Sequence, residues 1–244
     1  MLIKDQHFLI DKKVLEKEIS ISDLSGKDRV IEIGAGTGIL TRELAKKSGK
    51  LLVFEIDKKF ESSLKKLESS NIKIIYDNAL KSSWRGYNKI VSNLPYSLSE
   101  PVIMKAIESG IEELTLIVGE NFKNILEKKQ SKIGILADLF FNFHAVMFVD
   151  KSSFSPSPRV DSWLIKLIRK TKKNKGEEFI ARFVSKRGKI KNALLHSFME
   201  KGKTKNQSRE IVKKLNIPSS VLEKPVGKIT GKFIIRLKNA LKDI

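Results

Sequence analysis

The stretch Gly34-Ala35-Gly36-Thr37-Gly38 sets three glycines at alternate positions between the apolar run Arg29-Val30-Ile31-Glu32-Ile33 and a segment of helical period, Ile39 to Lys47. A strand that turns into a helix through glycines is the opening of a βαβ unit. The missing side chains let the backbone turn tightly and approach a ligand, and the helix start offers free amides to a nucleotide's polar groups. The alternation continues along the chain. Leu51 to Glu55, Ile72 to Tyr76, Lys89 to Val91 and Leu114 to Val118 read as strands, with helical segments such as Phe60 to Leu67 between them. This order predicts a parallel, doubly wound α/β sheet. Ala145 to Val149 and Trp163 to Ile168 are joined by a loop, Asp150 to Asp161, so an antiparallel addition is expected at the sheet's end. After Lys170 the strand pattern stops. Residues 171–176 read as a polar linker, and the rest as short helices punctuated by Pro218 and Pro225. The expected division is an α/β domain over residues 1–170 and a basic helical domain over residues 171–244, with no internal repeat.

Charge narrows the partners. The formal net charge is +20, and residues 172–244 carry 20 basic and 6 acidic side chains, +14, leaving +6 for the first 171 residues. A moderately basic body with a strongly basic end is the footprint of a polyanion binder, most often a nucleic acid. Lys186, Arg187, Lys189 and Lys191 form a basic approach to a helix that begins near Asn192, suited to phosphate contact. With 41% apolar residues the chain can fill a core. It has no cysteine, which excludes disulfides and thiolate zinc sites and fits a reducing compartment. His7, His144 and His196 lie far apart, so no metal is expected. No run reaches the length of a membrane span, and Met1 to Asp5 lack a signal peptide's apolar core; a cytoplasmic protein with no membrane partner is expected.

Two strand ends carry the chemistry. Glu55 sits at the tip of the second strand, about 20 residues past the glycines, where a carboxylate can accept from both hydroxyls of a ribose. The glycines are spaced G-x-G-x-G rather than the dinucleotide pattern G-x-G-x-x-G, which favours S-adenosylmethionine over a nicotinamide cofactor. A dehydrogenase remains the alternative at this point. The fourth strand ends in Ser92-Asn93-Leu94-Pro95-Tyr96-Ser97. Proline cannot donate to a sheet ladder, so Pro95 marks where the chain leaves the sheet. An amide and an aromatic ring are thereby presented on the edge that carries the glycine turn and Glu55.

Asn93-Leu94-Pro95-Tyr96 resembles the N-L-P-Y signature of the ribosomal RNA adenine dimethyltransferases. Gln6-His7-Phe8-Leu9 resembles that family's N-terminal Gln-x-Phe-Leu, and Phe154-Ser155-Pro156-Ser157-Pro158-Arg159-Val160-Asp161-Ser162 its F-x-P-x-P-x-V-x-S loop. The resemblance spans nearly the whole chain and implies a Rossmann-like class I methyltransferase sheet with a small C-terminal helical domain that binds RNA. It implies S-adenosylmethionine as cofactor, held by Gln6, His7, Leu9, Gly34, Gly36, Glu55, Ile56, Asn78 and Asn93. It implies transfer to an adenine amine whose hydrogens are accepted by Asn93 Oδ1 and the Leu94 carbonyl, with Tyr96 stacked on the base and Phe154 on its other side. Arg159, Lys186, Arg187, Lys189 and Lys191 would contact RNA. The implied substrate is a pair of adjacent adenosines in the 3′-terminal hairpin loop of small-subunit ribosomal RNA, in the pre-ribosomal particle, and the implied state is a monomer. Two positions depart from the pattern. Asp77-Asn78-Ala79-Leu80 stands where the family has Gly-Asp-Ala-Leu, and Gly119-Glu120-Asn121 where it has Gln-Lys-Glu, a segment that supports the active-site wall. An adenine methyltransferase of large-subunit RNA, or an assembly factor with weak or lost catalysis, would share these motifs.

Overall fold

The computed structural model describes residues 6–171, 175–184 and 186–241. Five parallel strands follow the expected alternation: β2 (Arg29–Ile33), β3 (Lys50–Phe54), β4 (Ile72–Ile75), β5 (Lys89–Asn93) and β6 (Glu113–Gly119). Two more, β7 (Phe141–Val149) and β9 (Ser162–Arg169), complete a seven-stranded sheet in the order β4-β3-β2-β5-β6-β9-β7. β9 is antiparallel to both β6 and β7, so the antiparallel addition is an inserted strand rather than an appended one. β7 starts four residues before the expected Ala145, and its register shifts between Ala145 and Met147. A two-residue strand β1 (Phe8–Leu9) pairs antiparallel with β8 (Phe154–Ser155). Such a pair is too short to give a periodic signal and is absent from the sequence reading.

The strand order reverses at β2, which is bonded to β3 on one side and β5 on the other. In a doubly wound sheet this switch point opens a crevice beyond the carboxyl ends of the strands. Helix α1 (Lys12–Ile21), capped by the Asp11 carboxylate on the amides of Lys13 and Val14, precedes β2. Helix α2 (Ile39–Lys47) follows it with the limits expected, whereas the expected helix Phe60 to Leu67 is a 3₁₀ turn, Lys58–Phe60, leading into a short α3 (Glu61–Lys65). Ile19, Leu40, Leu44 and Leu64 from these helices pack with Val30, Leu51, Val53 and Val91 of the sheet. Leu9, Val14 and Phe154 pack with Ile117, Val149 and Leu164, so the β1/β8 pair is part of the core and not a loose flap. Ser92 Oγ donates to Ile33 O at 2.6 Å and ties β5 to β2 just before the site. Helix α4 (Ser99–Ser109) follows the Asn93–Tyr96 turn, and α5 (Glu120–Lys128) follows β6.

The chain divides into two compact units, residues 1–127 with 141–169, and residues 128–140 with 170–244. A single cut at residue 170 would place α6 (Lys132–Phe140) in the first unit; in the structure it belongs to the second. Its strongly apolar sequence explains this, since it contributes buried Ile133, Leu136, Leu139 and Phe140 to a helical core. The second unit also holds α7 (Lys175–Val184), α8 (Ile190–Met199), α9 (Lys205–Lys214), α10 (Ser219–Leu222) and α11 (Gly231–Ala240). Phe179 packs on Phe198 with centroids 4.4 Å apart, and Phe183 on Phe233 at 6.0 Å. Of the expected linker, Lys175 and Gly176 begin α7, and Lys172 to Asn174 lie outside the described residues. Among the described residues no helix is long and apolar enough to cross a membrane.

Candidate active site

A cavity of 330 Å³ lies at the carboxyl ends of the parallel strands. Gly34 and Gly36 enter it from the turn after β2, Glu55 and Ile56 from the end of β3, and Asn78 from the turn after β4. Asn93, Leu94 and Tyr96 enter from the end of β5, Gln6, His7 and Leu9 from the N-terminal segment, and Phe154 from β8. Every residue expected to hold the cofactor or the adenine therefore lines one cavity. Gly36 has φ of +52°, and a Cβ there would meet Phe8 Cε1 at 2.8 Å. Only glycine fits both the turn and the ring beside it.

The electrostatics of the cavity are distinctive. Of 48 Lys and Arg in the chain, none is among the described residues lining it, whereas Glu32, Glu55 and Asp77 are. Glu55 is 4% exposed and already aimed: its Oε2 accepts from Gly36 N and its Oε1 from Asp57 N, both at 2.8 Å. Each oxygen keeps a lone pair for a further donor. Glu32 is buried with no hydrogen-bond partner at Oε2. Burial pushes its carboxyl up to about 8, the Thr41 hydroxyl pulling the other way and the Glu55 charge adding to the rise. These groups fit a nucleoside ligand that carries positive charge.

The N-terminal segment is tied over the cavity by polar contacts. Gln6 Nε2 donates to Asp57 Oδ2 at 2.9 Å, and Lys59 Nζ pairs with the same oxygen at 2.8 Å. Lys59 and then Gln6 hold the half-buried Asp57 carboxyl down at about 2. His7 Nδ1 lies 2.8 Å from Pro156 O, and the His7 ring stacks on Tyr96 with centroids 6.2 Å apart. The Tyr96 hydroxyl shares a 2.5 Å hydrogen bond with Ser162 Oγ, and burial keeps the phenol's pKa above its usual value. Phe154 is only 5% exposed. The two departures have local explanations. Asn78 Oδ1 accepts from Leu80 N at 2.9 Å and caps the turn Ala79–Lys81, while Asp77 Oδ1 accepts from Asn78 N. Gly119 lies against the Tyr96 ring, where an added Cβ would make ordinary contact at 3.4 Å.

The expected RNA-contacting residues lie outside the cavity. Arg159 is exposed on the loop before β9. Arg187, Lys189 and Lys191 are exposed around the start of α8, where Lys189 pairs with Glu223 at 2.7 Å and Lys186 pairs with Glu200. Among the buried carboxylates not singled out in the sequence are Glu32 and Glu18. Both had a signal: Glu32 interrupts an apolar strand, and Glu18 falls on the buried stripe of α1 with Val14 and Ile19.

Residues 4–235 match the family model described as ribosomal RNA adenine dimethylase. A relative from Methanococcus maripaludis named probable ribosomal RNA small subunit methyltransferase A is 34% identical, across 98% of this chain and 96% of its own. One of the same name from Thermococcus gammatolerans is 31% identical over 98% of this chain and 88% of its own. Among solved structures, a dimethyladenosine transferase from Plasmodium falciparum superimposes with a TM-score of 0.66 at 24% identity, covering 97% of this chain and 98% of that one. A cavity lined by carboxylates at the sheet's switch point, the Asn93–Tyr96 turn beside it and a family match over nearly the whole sequence lead to one conclusion: this chain belongs to the ribosomal RNA adenine dimethylase family.

Proposed function

We propose that this chain is an S-adenosylmethionine-dependent ribosomal RNA adenine N6,N6-dimethyltransferase. Its substrate is the pair of adjacent adenosines in the 3′-terminal hairpin loop of small-subunit ribosomal RNA, modified during subunit biogenesis. The observation that carries the reading is that Asn93 shares one cavity with Glu55 and the glycine turn, and that the lining holds carboxylates but no Lys or Arg among the described residues. The small-subunit target is supported by the names of the relatives.

S-adenosylmethionine supplies a methyl group on a positively charged sulfonium. Glu55 would accept from its ribose hydroxyls, Asn78 and Asp77 would hold its adenine, and Gln6, His7 and Leu9 would cover its methionine end. The target amine is a poor nucleophile because its lone pair is delocalised into the ring. Asn93 Oδ1 and the Leu94 carbonyl accept its two hydrogens, which draws the nitrogen toward tetrahedral geometry and frees the lone pair. As the N–C bond formed, the methyl–sulfur bond would break with its electron pair going to sulfur, leaving a neutral thioether; the nitrogen would become positive, the same acceptors would stabilise that charge, and one proton would leave to water. No general base is required. Tyr96, a neutral phenol anchored on Ser162, offers its ring to the base. Loop bases can be unstacked and inserted while basic side chains hold the backbone.

The test is transfer of labelled methyl groups to purified small subunits lacking the modification, beside large subunits and free RNA, with the labelled nucleoside identified. Dimethyladenosine in the small subunit alone is the expected result. Label in the large subunit would move the substrate, and tight subunit binding with no label would replace the reading with an assembly factor.

A further inference from the structure

Glu18 is completely buried on α1 and does not line the cavity; it lies behind Asn93. The two ends of the Asn93 amide are told apart by this contact. With its nitrogen toward α1, Asn93 Nδ2 donates to Glu18 Oε1 and Oε2, both at 3.1 Å, whereas the reverse orientation sets oxygen against carboxylate oxygen. In the first orientation Oδ1 is left for the cavity. We propose, on the reading that this site methylates an adenine amine, that Glu18 is a positioning residue whose carboxylate fixes the facing of the Asn93 amide so that Oδ1 accepts from the substrate.

A charged acceptor behind the amide does two things. It makes the productive orientation the favoured one, and it polarises the amide, so Oδ1 is a stronger acceptor as charge develops on the substrate nitrogen. Protonation reverses the preference. A neutral Glu18 can donate its O–H to Asn93 Oδ1, which turns Nδ2 toward the cavity and sets donors against the N–H groups of the amine.

The groups around Glu18 make its ionisation sensitive to pH. Burial raises its pKa well above the usual carboxylate value, the Glu32 charge from β2 adds to this, and the Asn93 amide from β5 opposes it. The nearby cations do not reach the carboxylate: Lys166 of β9 donates to Ile21 O and pairs with Glu113 of β6, and Lys89 of β5 donates to Ser22 O and Asp23 O. Ionisation of Glu18 therefore adds an acid limb to kcat above the ordinary carboxylate range, distinct from that of Glu32, which lines the cavity.

The experiment measures kcat against pH for full-length wild type, Glu18→Gln and Glu18→Leu at saturating cofactor and RNA. It also follows the Asn93 side-chain amide signals of the wild-type protein by NMR, assigned with Asn93→Ala. Glu18→Leu should lower kcat by about 10- to 100-fold with little change in KM, as loss of an orienting partner does, and remove the acid limb. Glu18→Gln can still accept from Nδ2 and should retain more activity than Glu18→Leu, also without the limb. The wild-type amide signals should titrate with that limb. Wild-type kcat and an unchanged limb in Glu18→Leu would overturn the proposal, as would amide signals that do not titrate, a result that needs no variant to fold at position 18. Titrating signals in a protein that transfers no methyl group would instead overturn the functional reading and keep the carboxylate–amide contact.

Discussion

Replacing Glu32 by glutamine should make the protein more stable at alkaline pH and remove the part of its pH-dependent stability that Glu32 supplies. The cause is burial: the side chain is 1% exposed, with Oε2 unpartnered, and its folded pKa rises from 4.5 to about 8. The folded state therefore holds a proton that the unfolded state releases. Stability from this group is fully present below pH 4.5 and is lost as the pH rises through about 8. At about 1.36 kcal/mol per unit, the loss is about 3 kcal/mol at pH 7 and about 4 to 5 kcal/mol at pH 8.5. Glu18 contributes with the same sign. Asp28, Asp57 and Asp150, whose pKa values are lowered, titrate on the acid side of this window. Urea denaturation of the ligand-free protein at pH 5, 7 and 8.5 reads the effect directly. Wild type should weaken steadily across the series, Glu32→Gln should match it at pH 5 and exceed it by several kcal/mol at pH 8.5, and a residual slope should reflect Glu18. A Glu32→Gln curve parallel to wild type would refute the account, because no other change separates the two proteins.

Asn93→Ala should lower methyl transfer by about 100-fold or more, a far larger loss than in cofactor or RNA affinity measured by calorimetry and filter binding. Gly49→Ala puts a methyl group 2.1 Å from the Gly26 carbonyl oxygen, a backbone atom that cannot swing aside, so denaturation should show a loss of more than about 2 kcal/mol. Gly36→Ala meets only the Phe8 ring but requires φ of +52°; the expected result is a modest drop in melting temperature with a much larger loss of S-adenosylmethionine binding. Ser92→Ala deletes the 2.6 Å bond from Ser92 Oγ to the Ile33 carbonyl and leaves that oxygen buried, which should cost about 1 to 3 kcal/mol in urea denaturation.

The sheet was legible because each parallel strand is a short apolar run and helical period separates most of them, β4 and β5 being joined through a 3₁₀ turn alone. The limits of α2 were read to the residue because Gly38 marks its start. The residues that now line the cavity were found by motif, since glycines, Glu55 and the Asn93–Tyr96 turn lie at strand ends where side chains must face the crevice. What escaped the sequence depends on contacts between distant segments. The β1/β8 pair joins residues almost 150 apart in the chain through two positions, and nothing local announces it. The segment Lys132–Phe140 is helical wherever it packs, so its place in the second unit follows from which apolar face it completes. Glu18 and Glu32 were visible as acids on buried faces, but only the fold shows which polar group each one meets.

Those buried acids also explain how a strongly basic chain can hold a cation. A carboxylate at the surface of a +20 protein would be surrounded by lysine and weakened by solvent, and even the half-buried Asp57 is paired with Lys59. Glu55 avoids this by lying under the glycine turn and β3, where no Lys or Arg among the described residues lines the space and the low dielectric keeps its field strong, while Glu32 beside it holds its proton until a positive ligand lowers its pKa. Burial has a cost, visible in the raised pKa of Glu32, and that cost falls when a positive ligand arrives beside it. Methyl transfer removes the positive charge from the cofactor. On the function proposed above, Glu55 would then hold the spent, neutral form less firmly, so a site suited to the charged cofactor would also favour its exchange between transfers.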